Sequence, residues 1–104
     1  MTPGPGSHPR HELDPLLNAP VRLSLVAALA PLDKAEFGFL RDLVEISDSA
    51  LSKQVAALEE AGYVDVHKGR VGRRPRTWLS LSPEGRAVYQ RHLAALRAIA
   101  ADWS

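Results

Sequence analysis

Apolar and polar residues alternate along the chain with two different periods, and the clearest helical period lies between Ser47 and Gly62. Leu51, Val55 and Leu58 recur at the spacing i, i+4 and i+7, which predicts a helix with one buried side. Ser47 predicts an N-cap, because its hydroxyl can accept a hydrogen bond from a free N–H of the first turn. Gly62 predicts the C-terminal end, since glycine adopts the left-handed conformation that closes a helix.

After this helix the period changes to two. Residues 63–68 and residues 77–81 alternate apolar and polar side chains, which predicts two strands. Residues 69–76 between them are basic and interrupted by glycine and proline, so we predict a loop there. Helix, glycine, strand, basic loop and strand is the element order of a winged helix-turn-helix.

The side of the predicted helix that faces away from its apolar residues is small, polar and singly basic near the N-terminus. Such a slim surface fits the DNA major groove, where hydroxyl and ammonium groups reach phosphates and base edges. We therefore predict DNA-binding residues in this helix at Ser47, Ser49, Ser52 and Lys53, with Gln54 at the edge of the face.

The net charge is only +1, but five cations and no acid lie within residues 68–76. The rest of the chain has eight basic and twelve acidic residues, so this run holds all the excess positive charge. A charge run alone often marks a solvated loop, whereas beside a small-faced helix it is better interpreted as a phosphate contact. The predicted contacts to the backbone or the minor groove are Lys68, Arg70, Arg73, Arg74 and Arg76.

The N-terminal half supplies the remaining predicted helices. Residues 1–12, rich in proline, glycine and histidine, predict a flexible tail, and residues 13–104 a single domain. Pro20 suits the first position of a helix that ends near Ala30. Its apolar residues point nearly all round, so we expect burial against the core on one side, and against a partner subunit or the chain's own last helix on the other.

The next segment allows two interpretations. Residues 33–36 have capping-box spacing, yet residues 37–39 could equally include a short extended segment. A helix over about residues 38–44 should bury Phe39, Leu40 and Leu43 and act as the positioning helix of the motif.

The last predicted helix covers about residues 83–103, with Ser82 as its cap and Pro83 in its first turn. Its long apolar stripe favours packing between subunits, although it can also fold back on the first helix. The predicted dimer interface comprises Leu25, Tyr89, Leu93, Leu96, Ile99 and Trp103.

Four short runs carry a resemblance to a known family. The runs LSKQV (residues 51–55) and LEEAGYV (residues 58–64) resemble the recognition helix of MarR-type bacterial regulators. VGRRPRTW (residues 71–78) resembles the wing of a small winged-helix group related to them, and SPEGR (residues 82–86) the start of the following helix. The resemblance covers roughly residues 13–99. It implies a winged helix-turn-helix fold that is mainly α with a small β-hairpin (α+β).

Composition excludes several other classes. The chain has no cysteine, so it has neither a disulfide framework nor a thiolate metal site. No apolar run approaches the roughly 20 residues that span a membrane, and no signal peptide is evident, which predicts a cytoplasmic protein. We expect neither an enzyme nor a cofactor or metal site, because no nucleophile elbow, phosphate loop or ligand spacing is present.

The sequence therefore predicts a homodimeric, sequence-specific transcriptional regulator that binds a pseudo-palindromic operator in double-stranded DNA. The alternative is a winged helix that serves as a protein-interaction module without specific DNA binding. The five unopposed cations favour the first, since a protein-docking surface should be apolar or mixed there. No feature identifies a small-molecule effector.

Overall fold

The structure, a computed structural model, describes residues 8–101 of the 104-residue chain. No helix in this part is long and apolar enough to cross a membrane. After a 3-10 turn at Pro9–Glu12, the elements in chain order are α1 (Pro20–Leu29), β1 (Ala35–Glu36), α2 (Phe37–Leu43), α3 (Asp48–Glu60), β2 (Val64–Val71), β3 (Arg74–Leu81) and α4 (Pro83–Ala101). The predicted fold class, mainly α with a small β-hairpin, is confirmed.

The three strands form one antiparallel sheet in the order β1-β3-β2. β2 and β3 pair without interruption from Val64 opposite Leu81 to Val71 opposite Arg74. We call β2, β3 and the turn between them the wing. The predicted loop over residues 69–76 is therefore wrong, because only Gly72 and Arg73 lie between the strands. Charged side chains do not prevent backbone pairing, and Gly72, with φ of +64°, allows a two-residue turn.

Apolar side chains from every α-helix and from all three strands form one buried cluster. In α1, Leu25, Val26 and Leu29 are each at most 1% exposed, which confirms burial of this helix against the core. Leu25 was predicted for the dimer interface, and this position is corrected because no surface of it is left for a partner. The other core residues are Leu17, Ala35, Leu40, Leu51, Val55, Leu58, Val64, Leu79, Leu81 and Val88.

Helix α2 buries a different face from the predicted one. Leu40 is fully buried, whereas Phe39 and Leu43 are each 53% exposed. Phe37 and Val44 pack partly against the core, so the inward face is spaced at i, i+3 and i+7. Phe39 and Leu43 lie four residues apart on the neighbouring face, which no described residue covers. A short strand does precede α2, but it is Ala35–Glu36, which pairs with β3. The extended segment predicted within residues 37–39 is not found, because these residues begin α2.

The segment before α1 is held by contacts with two distant parts of the chain. Pro9–Glu12 contact α4, whereas a flexible tail was predicted through residue 12; residues 1–7 lie outside the described part. The backbone N–H of Asp14 donates to His92 Nδ1 at 2.9 Å. The side-chain Oδ2 of Asp14 accepts from the Tyr63 hydroxyl at 2.6 Å. Burial and the hydrogen bond to Asp14 raise the pKa of Tyr63 to about 12. The network therefore joins the N-terminal segment to α4 and to the residue that precedes β2.

Helix α4 begins where it meets the end of α3. Ser82 Oγ donates to the carbonyl of Gly62 at 2.6 Å and accepts from the N–H of Gly85 at 2.9 Å, which confirms Ser82 as the cap. Gly85 lies so close to Tyr63, the residue after Gly62, that an added Cβ atom would overlap the carbonyl oxygen of Tyr63. A glycine is therefore required for this contact between α4 and the start of the wing.

Replacing Gly85 with alanine should lower the free energy of unfolding by about 1–3 kcal/mol, because the added methyl overpacks the contact with Tyr63. Gly38→Ala in α2 is the matched control. Its Cβ would meet only the Arg41 side chain, at 3.6 Å, so we expect a gain of up to about 1 kcal/mol from helix propensity. Urea denaturation measures both. A midpoint for Gly85→Ala at or above that of the wild type would contradict the packing argument.

The protein should lose stability as the pH falls below about 6.5, the ordinary pKa of histidine. His92 is 1% exposed, and burial lowers its pKa, although Asp14 opposes the shift. The unfolded chain then binds a proton more strongly than the folded one, so stability is complete above that pH and declines below it. His92→Gln, which keeps an acceptor for Asp14, should reduce this decline in urea denaturation at about pH 7.5 and 5.5. Equal pH dependence in both proteins would remove His92 as its source.

Candidate nucleic-acid interface

Helix α3 presents a polar face because its apolar face is fixed in the core. Leu51, Val55 and Leu58 are at most 7% exposed, whereas Ser49 and Lys53 on the other side are exposed, as is Ser52. Ser47 accepts from the N–H of Ala50 at 3.1 Å, which confirms the predicted cap. Its hydroxyl lies 3.3 Å from that of Ser49. The exposed N-terminal half of α3 thus offers hydroxyl groups and one ammonium group.

The turn between α2 and α3 is held by Arg41. Its Nε donates to Asp42 and its Nη1 to Asp48, the first residue of α3, each at 2.9 Å. The hydrogen bond to Asp42 and then that to Asp48 raise the pKa of Arg41 above its ordinary value. Within the turn, Glu45 adopts a φ of 58°, which is uncommon for a side chain other than glycine. Arg41 therefore joins the positioning helix to the start of the recognition helix.

Gln54, predicted at the edge of the DNA-binding face, is half-buried and has a partner within the chain. Its Oε1 accepts from Arg22 Nη1 at 2.9 Å, and Arg22 Nε donates to the carbonyl of Leu16 at 2.6 Å. Arg22 was not predicted from the sequence. Its position in the first turn of a largely apolar helix gave no indication that it reaches α3.

The wing distributes its cations over two faces and a tip. Paired residues of an antiparallel ladder share a face, so Lys68 and Arg70 lie on the side of the core, towards α3. Arg74 lies on the opposite side, and Arg73 lies in the turn. All four are exposed, and among residues 8–101 none forms an ion pair with a carboxylate.

Arg76 differs from the other predicted wing contacts. It is half-buried where it pairs with Gly69 in the wing, and its Nη1 lies 3.5 Å from Glu36 Oε2 on β1. Next to it, Trp78 lies against Gly69, and Lys34 Nζ is 5.1 Å from the centroid of its ring. Arg76 therefore carries a partly compensated charge and joins β1 to β3, which the sequence pattern did not indicate.

A groove of about 360 Å³ separates α3 from the wing. Val55 and Val66 line its floor, and Ser52 and Lys68 contribute polar groups to its lining. Glu59 lies further along the α3 side. The structure thus brings together one predicted residue from the helix and one from the wing across a single concave surface.

The predicted interface residues on α4 have surface to offer. Val88, His92 and Ala95 are buried within the chain. Tyr89, Leu93 and Leu96 form an adjoining stripe at the spacing i, i+4 and i+7, and they are half-exposed, as is Ile99. Trp103 lies outside the described residues.

Comparison with known proteins gives consistent results. A family model described as a winged helix DNA-binding domain matches residues 21–100. An uncharacterized protein of Methanocaldococcus jannaschii is 27% identical over 78 residues, which cover 75% of this chain and 85% of that protein. The structure of a transcriptional regulator homologue from Pyrococcus horikoshii OT3 has a TM-score of 0.80 and 28% identity, with 86% of this chain and 88% of that chain covered.

A second structural relative is a MarR-family transcriptional regulator from Silicibacter pomeroyi. It has a TM-score of 0.65 and 27% identity, and the match covers 88% of this chain and 60% of that chain. The family model, the described fold and these likenesses agree. The chain therefore belongs to the family of winged helix DNA-binding domains, and its structural neighbours are MarR-family transcriptional regulators.

Proposed function

We propose that this protein is a transcriptional regulator that binds a pseudo-palindromic operator in double-stranded DNA, sequence-specifically and as a homodimer. One observation carries the proposal: Ser52 of α3 and Lys68 of the wing line the same groove, beside exposed hydroxyl and ammonium groups. Transcriptional regulators among the structural relatives support a regulatory rather than an enzymatic role.

The N-terminal half of α3 is the part that we propose to enter the major groove. Ser49, Ser52 and Lys53 are exposed there and can reach base edges or phosphates. The N-terminal end of a helix also carries partial positive charge, which favours phosphate. Glu59 and Glu60, exposed at the other end, would repel phosphates, so the helix should enter the groove by its first two turns.

The wing supplies the proposed contacts to the flanking backbone or the minor groove. Arg70, Arg73 and Arg74 are exposed near its tip, and Lys68 faces α3. Arg76 has a weaker claim because Glu36 competes for its guanidinium group. Phosphate contacts of this kind fix the position of a protein on DNA, whereas the contacts from α3 would read the sequence.

The proposed dimer uses the stripe of Tyr89, Leu93 and Leu96, with Ile99 on the same helix. Covering such half-exposed apolar surface contributes about 25 cal/mol for each Å² removed from water. A two-fold axis through α4 would relate two recognition helices separated by about one turn of DNA, roughly 34 Å. Trp103, which lies outside the described residues, remains part of the predicted interface.

Arg74→Ala should weaken binding to all duplexes. It should also reduce the slope of log affinity against log salt concentration by about one unit, the contribution of one phosphate contact. The operator is first selected from random duplexes, and fluorescence anisotropy then measures affinity over a range of salt concentrations. Arg91→Ala is the control, because Arg91 is an exposed arginine of α4 that lies off the stripe of Tyr89, Leu93 and Leu96. The proposed role of the wing fails if Arg74→Ala keeps both the affinity and the salt slope of the wild type.

Leu96→Glu should dissociate the dimer and abolish tight operator binding while the domain stays folded, because a charge is placed at the centre of the apolar stripe. Ala94→Glu adds the same charge at an exposed position of the same helix and should remain dimeric. Sedimentation at micromolar concentration gives the oligomeric state, and circular dichroism monitors folding. A wild-type protein that is monomeric both alone and on DNA would exclude the proposed dimer.

A further inference from the structure

The contact between Arg22 and Gln54 restricts the chemistry that α3 can offer to DNA. Arg22 Nη1 lies 2.9 Å from Gln54 Oε1. An arginine side chain has only donors, so the Gln54 atom facing it must be the carbonyl oxygen rather than the amide nitrogen. The pair itself requires this orientation, because two donors cannot form a hydrogen bond with each other.

The position of Arg22 is itself fixed. Its Nε donates to the carbonyl of Leu16 at 2.6 Å, and the next residue, Leu17, is fully buried. Asp14 Oδ1 accepts from the N–H groups of Leu16 and Leu17, at 2.9 and 3.2 Å, so this turn is closed locally. Arg22 is therefore anchored to the folded N-terminal segment and holds Gln54 from the side of α1.

The other end of the Gln54 amide remains available. Among residues 8–101, no atom accepts a hydrogen bond from its Nε2, and Nε2 is not among their buried polar atoms without a partner. Gln54 follows Lys53 in α3 and lies on the edge opposite to Ser52, which lines the groove towards the wing. Its amide nitrogen is thus an accessible pair of donors beside the proposed DNA-binding face.

We propose that Arg22 is a positioning residue for DNA recognition, because it holds the amide of Gln54 in one orientation, engages its oxygen and leaves its nitrogen to donate to DNA. The inference rests on the proposed function and deepens it. A free glutamine can bind adenine through two hydrogen bonds, one donated and one accepted. In Gln54 the oxygen already accepts from Arg22 and is held towards α1, which disfavours the accepted bond. Its nitrogen then binds acceptors: a phosphate oxygen, or an acceptor on a base edge such as guanine O6 or thymine O4.

A double-mutant cycle on the intact protein tests this inference. Wild type, Arg22→Met, Gln54→Ala and the double variant are each measured by selection from random duplexes and by anisotropy on the selected operator. Gln54→Ala should weaken binding about two- to tenfold, the range of one net hydrogen bond. Arg22→Met should change the same affinity or base preference in the wild-type background, with new tolerance of adenine at the position that Gln54 faces. It should change neither when residue 54 is alanine.

The pattern in which Gln54→Ala loses affinity shows whether the acceptor on DNA is a phosphate or a base. A uniform loss over all operators with Gln54→Ala indicates a phosphate oxygen, and a loss at one position of each half-site indicates a base edge. Arg22→Lys keeps one donor and should restore part of the wild-type preference. Arg22→Leu, which also has no donor, replaces Arg22→Met if that variant fails to fold, as judged by circular dichroism.

Three results would overturn the inference while leaving the proposed function intact. The first is a preference of the wild type for adenine that Gln54→Ala removes, because that preference requires both ends of the amide. The second is an effect of Arg22→Met that is equal in both backgrounds, which would mean direct contact with DNA or a general structural role. The third is unchanged binding by Gln54→Ala. A wild-type protein that selects no duplex would instead refute the proposed function, and this inference with it.

Discussion

Burial of one side of α3 determines which direction each polar side chain of this helix faces at the candidate interface. Leu51, Val55 and Leu58 occupy the core, and this fixes the rotation of the helix about its axis. Lys53 then points away from the core, while Ser52 turns towards the wing and Gln54 towards α1. A rotation of α3 by one residue would expose leucine to water, so the same apolar contacts that stabilise the domain also specify its polar surface.

The end of α3 determines where the wing begins. Gly62 has a φ of +81°, which lets the chain reverse out of the helix, and its carbonyl accepts from Ser82. Ser82 also caps α4, and Gly85 admits the backbone of Tyr63. Three elements therefore share one junction, so the wing and α4 hold a defined position relative to the recognition helix. A regulator that reads DNA through α3 and assembles through α4 would depend on that rigidity.

Features set by neighbouring residues were predictable from the sequence, whereas features set by distant pairs were not. The caps at Ser47 and Ser82 depend on a few adjacent residues, and both were correct. The contacts Arg22–Gln54 and Arg76–Glu36 join residues 32 and 40 positions apart, and no local pattern announces them. Alternation failed to define the wing for a related reason: its outer pairs are solvated on both faces and held by backbone hydrogen bonds, which leave no trace in hydropathy.

The pairing of charges explains how a chain with a net charge of +1 can still present a cationic surface. Arg41 forms ion pairs with Asp42 and Asp48, and Arg76 with Glu36, so these two arginines serve the fold. Five other cations, Lys53, Lys68, Arg70, Arg73 and Arg74, lie on α3 and along the wing, where a phosphate chain could pass. At physiological salt, charges act over only about 8 Å. A net charge this small therefore gives little long-range attraction to DNA. Affinity must then come from close contacts, and a two-fold assembly doubles their number on one duplex.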